Sequence, residues 1–304
     1  MTVNNNKKQL IHPNSLEALR MLCKADLNVK KKLLGDNDYC EEESNGGAEN
    51  NCNVAEVSFW SPISLQVNDE GHITTLELSG RRIKKLPRQA FALLKELQIL
   101  NLGGTDVPIS QLTSALEECC TSTQLEKLYL GGNGLRDSGV QAICSCIQSQ
   151  SRCPMIRLDL RYNDIGSSGA AAIAEILVKN ANNLAYLYLE GNQIGDDGAS
   201  ALAVAIQDPK LPLQELFLGG NQIGPFGASK LAQALATNTS LQKLYLEGNC
   251  IGPEGAVSFT SILNHMGTNT HLKHLYVDNN GIGKEETMNL ARALNCDTVI
   301  GDIM

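Results

Sequence analysis

The chain says one phrase repeatedly. "LYLEGNQIGDDGASALAVAI" at residues 187–206 returns as "LYLEGNCIGPEGAVSFTSIL" at 244–263. Alignment on the asparagine yields six copies: "LEKLYLGGNGL", "MIRLDLRYNDI", "LAYLYLEGNQI", "LQELFLGGNQI", "LQKLYLEGNC" followed by Ile251, and "LKHLYVDNNGI". Their anchors are Asn133, Asn163, Asn192, Asn221, Asn249 and Asn280, spaced 28 to 31 residues apart. Apolar residues stand eight, five and three positions before each anchor and again two after it. Two looser copies, "ITTLELSGRRI" and "LQILNLGGTDV", precede them with Arg81 and Thr105 at the anchor position. Such self-similarity excludes an ordinary globular core and requires a stack of like units.

Each unit has a physical reading of its own. In L-x-L the two leucines share one face of a strand, and the residue between them takes the other. The asparagine falls where the strand turns away, and its amide both donates and accepts, so it can satisfy buried backbone groups. In four copies I-G-x-x-G-A follows, and apolar residues then recur at helical spacing: Ala199, Leu202, Ala203 and Ile206, or Ala228, Leu231, Ala232 and Leu235. A helix therefore follows each short strand. Gly198, Gly227 and Gly255 stand where a larger side chain would crowd the neighbouring copy, and Pro225 and Pro253 suit a first helical turn. Strands stack about 4.8 Å apart and helices need roughly 8 to 10 Å, so a ribbon of such units bends by roughly 20 to 25 degrees per copy, strands inside.

The pattern L-x-x-L-x-L-x-x-N/C-x-L, carried by these copies over about residues 73–300, resembles the leucine-rich-repeat family. Copies of this length with a full helix are similar to its ribonuclease-inhibitor-like subclass. The resemblance implies an α/β solenoid, a horseshoe with a parallel concave sheet and convex helices, whose members bind other proteins.

The ends read differently. Residues 1–36 form an N-terminal helical segment, with Asn14 as helix cap and Glu17 three positions on. Residues 37–53, "DNDYCEEESNGGAENNC", are acidic and poor in apolar residues and read as a disordered linker. Residues 54–72, around Phe59 and Trp60, form an N-terminal cap over the first copy. The repeat domain then occupies 73–304, about eight repeats closed by a C-terminal cap in which "TVIGDIM" supplies a strand. The first helix either folds back as a cap, the preferred reading, or reaches for a ligand.

Composition narrows function further. The 25 lysines and arginines against 33 aspartates and glutamates leave a net charge of −8, which disfavours nucleic acid and anionic membrane surfaces. No apolar run approaches the roughly 20 residues of a membrane span, and "MTVNNNKKQLIHP" lacks the apolar stretch of a secretory signal. The ten cysteines follow no disulfide spacing and read as small core residues in a reducing compartment, and the lone sequon at Asn238 adds little for secretion. "GPFGASK" at 224–230 has the wrong spacing for a phosphate loop, and its glycines belong to the repeat. His265, His271 and His274 near Cys250, and Cys144 and Cys146 near Cys153, lack the spacing of a metal site. These readings give a soluble cytoplasmic monomer without cofactor or metal, and not an enzyme.

The outward residue between the strand leucines is the most informative column: Glu77, Asn101, Tyr129, Asp159, Tyr188, Phe217, Tyr245 and Tyr276. Five of the chain's thirteen aromatic residues fall there, so the column is either a partner's anchor row or aromatic cover for the sheet. Buried by a partner, such anchors contribute on the order of 2 kcal/mol or more each. Two positions earlier run Lys127, Arg157, Tyr186, Glu215, Lys243 and His274; two later come Arg161, Glu190, Glu247 and Asp278, with Tyr162 beside them. Gly103, Gly131 and Gly219 on that face leave room for close approach. The candidate contact set is Tyr129, Arg157, Asp159, Arg161, Tyr162, Tyr186, Tyr188, Glu190, Phe217, Lys243, Tyr245, Glu247, His274 and Tyr276. Binding of a protein partner is the leading function. A resemblance to the Ran GTPase-activating proteins implies GTPase regulation as an alternative, with Arg136, Arg157 and Arg161 as candidates to act on the transferred phosphate. Inhibition of a basic enzyme such as a ribonuclease is a third reading, from charge complementarity.

Overall fold

The computed structural model describes residues 11–26, 29–30, 65–122, 124–148, 154–179, 183–266, 271–294 and 299–300. The expected linker at 37–53, and Phe59 and Trp60, lie outside them. The fold is that of an α/β leucine-rich-repeat solenoid, and the chain divides into two compact units, Met1–Leu125 and Glu126–Met304.

In the first unit, helix α1 (Pro13–Ala25) precedes strands β1 (Leu65–Val67) and β2 (Ile73–Glu77), helix α2 (Arg88–Leu93), strand β3 (Ile99–Asn101) and helix α3 (Ile109–Ser122). β1 runs antiparallel to β2, and β2 parallel to β3 with Glu77 opposite Asn101. The expected cap at Asn14 is corrected by one turn of physical logic. Pro13 occupies the first helical position, where its fixed φ is pre-organised and its missing N–H costs nothing, so the cap falls to His12, whose Nδ1 accepts the Asn14 amide at 3.3 Å. α1 is tied to the strands by a hydrogen bond from the His12 amide to the Gly71 carbonyl and by one from the Ile73 amide to the Ser15 hydroxyl. Asp26, just past its end, accepts the amides of Lys84 and Lys85. Ala18, Leu19 and Leu22 of α1 are fully buried.

The second unit alternates strand and helix: β4 (Lys127–Tyr129), α4 (Arg136–Gln148), β5 (Arg157–Asp159), α5 (Ser167–Lys179), β6 (Tyr186–Tyr188), α6 (Gly195–Ile206), β7 (Glu215–Phe217), α7 (Pro225–Leu235), β8 (Lys243–Tyr245), α8 (Gly252–Met266), β9 (His274–Tyr276), α9 (Lys284–Leu294) and β10 (Val299–Ile300). The strands are parallel and pair in chain order, in a register that sets Leu128, Leu158, Leu187, Leu216, Leu244 and Leu275 side by side. All six are at most 1% exposed. At about 1.5 to 3 kcal/mol for each fully buried leucine, this row and its neighbours are the chief stabilisation of the stack, and no single repeat could cover them.

Asparagines join the repeats. The Oδ1 of Asn163 accepts the amides of Asn133 and Leu135 in the preceding repeat, that of Asn192 accepts those of Asn163 and Ile165, and that of Asn249 accepts those of Asn221 and Ile223. The Nδ2 of each of Asn192, Asn221, Asn249 and Asn280 donates to one carbonyl of its own strand end and one of the preceding repeat. One rung is incomplete: Asn221 Oδ1 is buried and accepts no hydrogen bond among the described residues. Asn238, the sequon residue, is also structural, 5% exposed, with its side chain bonded to the Ile206 carbonyl and the Leu241 amide.

A second set of bonds, with no counterpart in the sequence reading, caps helices between repeats. Asp137 accepts the amides of Gly166 and Gly169 and the hydroxyl of Ser168 at the start of α5. Asp196 accepts those of Gly224 and Gly227 at the start of α7, at 2.7 and 2.8 Å. Each carboxylate thus meets the otherwise unpaired N–H groups of the next repeat's helix. Burial works to raise the Asp137 pKa, but the bonds from Ser168, Gly166 and Gly169 outweigh it and hold the carboxyl below its ordinary value. The expected crowding at the helix glycines is present: a Cβ on Gly255 would lie 2.4 Å from Ile251 Cγ2 and 3.1 Å from Ala228 Cβ of the preceding repeat.

Cys119, Cys144 and Cys146 are buried, Cys23 is partly so and Cys250 is exposed. Burial pushes the Cys144 thiol up to about 12, which keeps it protonated and inert. Among the described residues no helix is long and apolar enough to cross a membrane.

Candidate functional site

The sheet of the second unit carries its leucines inward and three parallel rows of side chains outward, because strand residues alternate faces. The central row follows the register Tyr129, Asp159, Tyr188, Phe217, Tyr245, Tyr276. Its last four rings stack, with centroids 4.3 Å apart for Tyr188 and Phe217, 4.0 Å for Phe217 and Tyr245, and 4.4 Å for Tyr245 and Tyr276. The strand spacing imposes these distances, so the rings form one continuous half-buried aromatic ribbon. Burial pushes the Tyr245 hydroxyl up to about 12.

Asp159, which interrupts the aromatic row, is held in a closed ion pair. Asp159 is 4% exposed, and Arg161, two residues on along the same face, clasps it through Nε at 3.0 Å and Nη2 at 2.7 Å. The carboxylate also lies over Gly131, where a Cβ would stand 3.3 Å from its Oδ1. The space expected above Gly131 is therefore occupied by the chain itself. The guanidinium of Arg161 sits 5.3 Å from the centre of the Tyr188 ring.

Arg157 lies in the first row. Its guanidinium stands 4.7 Å from the Tyr186 ring and 5.4 Å from that of Tyr188, with Nη1 3.5 Å from the Tyr129 hydroxyl. Further along, Lys243 pairs with Glu215 at 2.9 Å. His274, in the same row, is half-buried in the sheet beside Tyr276, since its strand position places it among the rings. His265 and His271 are exposed, and among the described residues no three metal-binding side chains converge.

The third row runs Gly131, Arg161, Glu190, Gly219, Glu247, Asp278. Glu190 and Glu247 are half-buried, and burial raises the pKa of both carboxyls; the repulsion of Glu247 adds to the rise at Glu190 while Arg161 opposes it. Three of the polar side-chain atoms that are buried without a hydrogen-bond partner, Arg157 Nε, Glu190 Oε2 and His274 Nδ1, lie on this one face. Tyr162 is apart from it, 67% exposed at the strand-to-helix turn with its ring over Gly191. Arg136 is also apart, the first residue of α4, with φ 54°, beside an open depression lined by Asp137, Asp164, Gly166 and Gln193. The three arginines considered for phosphate chemistry thus do not form one constellation.

A stack of strand-and-helix units with an asparagine ladder defines a leucine-rich-repeat protein, and the chain belongs to that family. The family model described as leucine-rich repeat matches residues 121–144, 152–174, 180–203, 211–232, 237–259 and 268–285. The chain is 32% identical over 186 residues to the NACHT, LRR and PYD domains-containing protein 3 of Bos taurus, covering 55% of this chain and 17% of that protein. It is 32% identical over 84 residues to the RAN GTPase-activating protein 2 of Arabidopsis thaliana, covering 27% and 15%. The chain therefore spans less than a fifth of either relative. Among solved structures it is similar to the leucine-rich repeat-containing protein LegL7 of Legionella pneumophila, with a TM-score of 0.45 and 23% identity over 70% of this chain and 68% of that one.

Proposed function

We propose that the chain is a protein-binding module, without catalysis of its own, that offers the sheet face of its second unit to a partner protein. One observation carries this reading: four stacked half-buried rings share their face with Arg157 Nε, Glu190 Oε2 and His274 Nδ1, polar atoms that have given up water and gained no partner. A sheet that needed only cover would not hold such atoms, because each costs desolvation that no hydrogen bond among the described residues repays. Aromatic anchors among incompletely paired polar groups are the composition of an interface centre. The repeat length and full helices fit the ribonuclease-inhibitor-like subclass. The test is partner capture from cell extract by the wild-type chain and by a Tyr188→Ala, Tyr245→Ala variant. The variant is expected to lose the partners that the wild type retains, and equal recovery would refute the reading.

Regulation of a GTPase is the second reading, favoured by the stretch similar to a RAN GTPase-activating protein. Arg161 is committed to Asp159 and Arg157 to the tyrosine rings, which leaves Arg136, the first residue of α4, as the residue to test. Phosphate release from GTP-loaded small GTPases, with wild type and Arg136→Ala, measures it; no acceleration by the wild type would remove this reading.

A further inference from the structure

The third row of the sheet face contains its own precedent for how a cation is held there. Arg161 lies over the face with its guanidinium on the carboxylate of Asp159 and near the Tyr188 ring. Two strands further on, the same row presents carboxylates on both sides of a residue with no side chain. Gly219 is flanked by Glu190 and Glu247, close enough that a Cβ placed on it would lie 3.7 Å from Glu190 Cγ and 3.6 Å from Glu247 Oε2. Phe217 precedes Gly219 by two residues and so lies on the same face, inside the ring stack. The result is a notch with a backbone floor, two acidic walls and an aromatic neighbour.

The notch is also electrically incomplete. Glu190 Oε2 is sealed from solvent and accepts no hydrogen bond among the described residues. The nearest cation, Arg161, is already clasped by Asp159 at 2.7 to 3.1 Å. Burial penalises both carboxylates, and the charge of Glu247 adds to the penalty at Glu190 as that of Asp278 does at Glu247. Two carboxylates brought together against their own repulsion are compensated by a cation placed between them, and a planar guanidinium both bonds two carboxylates and lies against rings.

We propose that this notch receives an arginine side chain of the partner protein, its guanidinium between Glu190 and Glu247 over Gly219. The proposal deepens the sheet-face reading by naming the partner's chemistry: an arginine-bearing segment whose apolar flanks cover the aromatic ribbon. Gly219 is the residue that makes the site, since any side chain there would fill it.

The test uses N-acetyl-L-arginine amide as probe and the neutral N-acetyl-L-citrulline amide as control, titrated into the isotopically labelled full chain and followed by amide chemical shifts. Arginine amide is expected to shift the Gly219 amide and its neighbours saturably, and citrulline amide to leave them in place. Gly219→Ala and the Glu190→Gln, Glu247→Gln variant are each expected to weaken the response at least tenfold with their spectra otherwise folded. No shift at Gly219, an equal response to citrulline, or undiminished binding by the double glutamine variant would overturn the proposal. So would a stronger response at the same amides to calcium chloride, which would make the notch an ion site, or concentration-dependent dimers that the double variant abolishes, which would put a second copy there. If partner capture fails in Tyr188→Ala, Tyr245→Ala but persists in Glu190→Gln, Glu247→Gln, the sheet face stands as docking surface and the notch alone falls.

Discussion

Two neighbouring rungs of the asparagine ladder are predicted to differ sharply when replaced by leucine, a residue of similar size. Asn249 Oδ1 accepts the amides of Asn221 at 2.8 Å and Ile223 at 3.0 Å, and its Nδ2 donates to the carbonyls of Leu218 and Leu246. Those carbonyls keep a second donor, Asn221 Nδ2 for Leu218 and Asn280 Nδ2 for Leu246. Asn249→Leu therefore strands two buried N–H groups and no carbonyl. At about 1 to 3 kcal/mol each, partly offset by the leucine's own burial, the loss is about 2 to 4 kcal/mol. Asn221 differs because its Oδ1 accepts no hydrogen bond among the described residues. The carbonyls it serves, Leu189 and Leu218, retain Asn192 Nδ2 and Asn249 Nδ2. Asn221→Leu should then cost less than about 1 kcal/mol, since no buried donor loses its acceptor. Urea unfolding of the full chain, followed by far-ultraviolet circular dichroism, measures both. Equal losses at the two positions, or the larger loss at Asn221, would refute the hydrogen-bond accounting.

Asp196→Ala removes the acceptor for two amides at the start of α7 and is expected to cost about 1 to 2 kcal/mol in the same urea assay, with no change in midpoint counting against a capping role. The acidic walls of the notch behave oppositely. Because folding raises the Glu190 and Glu247 pKa values, the native state binds more protons than the unfolded one near those values, so their ionisation subtracts stability as pH rises. Glu190→Gln and Glu247→Gln should therefore raise the melting temperature at neutral pH, with the gain shrinking as pH falls towards the ordinary carboxylate value; a lowered melting temperature at neutral pH would contradict the assignment. Asp137 has the reverse sign: its lowered pKa stabilises the fold above the ordinary carboxylate value and ceases to do so as pH falls through the folded value, so Asp137→Asn should be destabilising at neutral pH and increasingly indistinguishable from wild type in acid.

The repeat itself made the strand, the turn asparagine, the helix and the outward column legible, because a two-residue period on a strand and a 3.6-residue period on a helix are local properties. The strand period gives the face of Asp159 but not its partner. Its closure by Arg161 was accessible in principle, since residues two apart on a strand share a face and here carry opposite charge. The cap at His12 was accessible too, from the proline that follows it. The caps by Asp137 and Asp196 join residues 28 to 32 positions apart and emerge only when the repeats are stacked. The room above Gly219 was legible from its place on the face, but the acidic walls were not, for a related reason. They come from the two neighbouring repeats, and which side chains flank a glycine is fixed only when the strands are placed side by side.

The central claim is that the outward face of the sheet is where a partner sits. Hydroxyl-radical footprinting of the chain, alone and bound to the partner it captures, tests this at single side chains. Labelling of Tyr188, Phe217, Tyr245 and Tyr276 is predicted to fall on binding while that of Phe226, 57% exposed at the start of α7, stays constant. Unchanged labelling of the four sheet rings together with protection of Phe226 would move the interface to the helices and contradict the account.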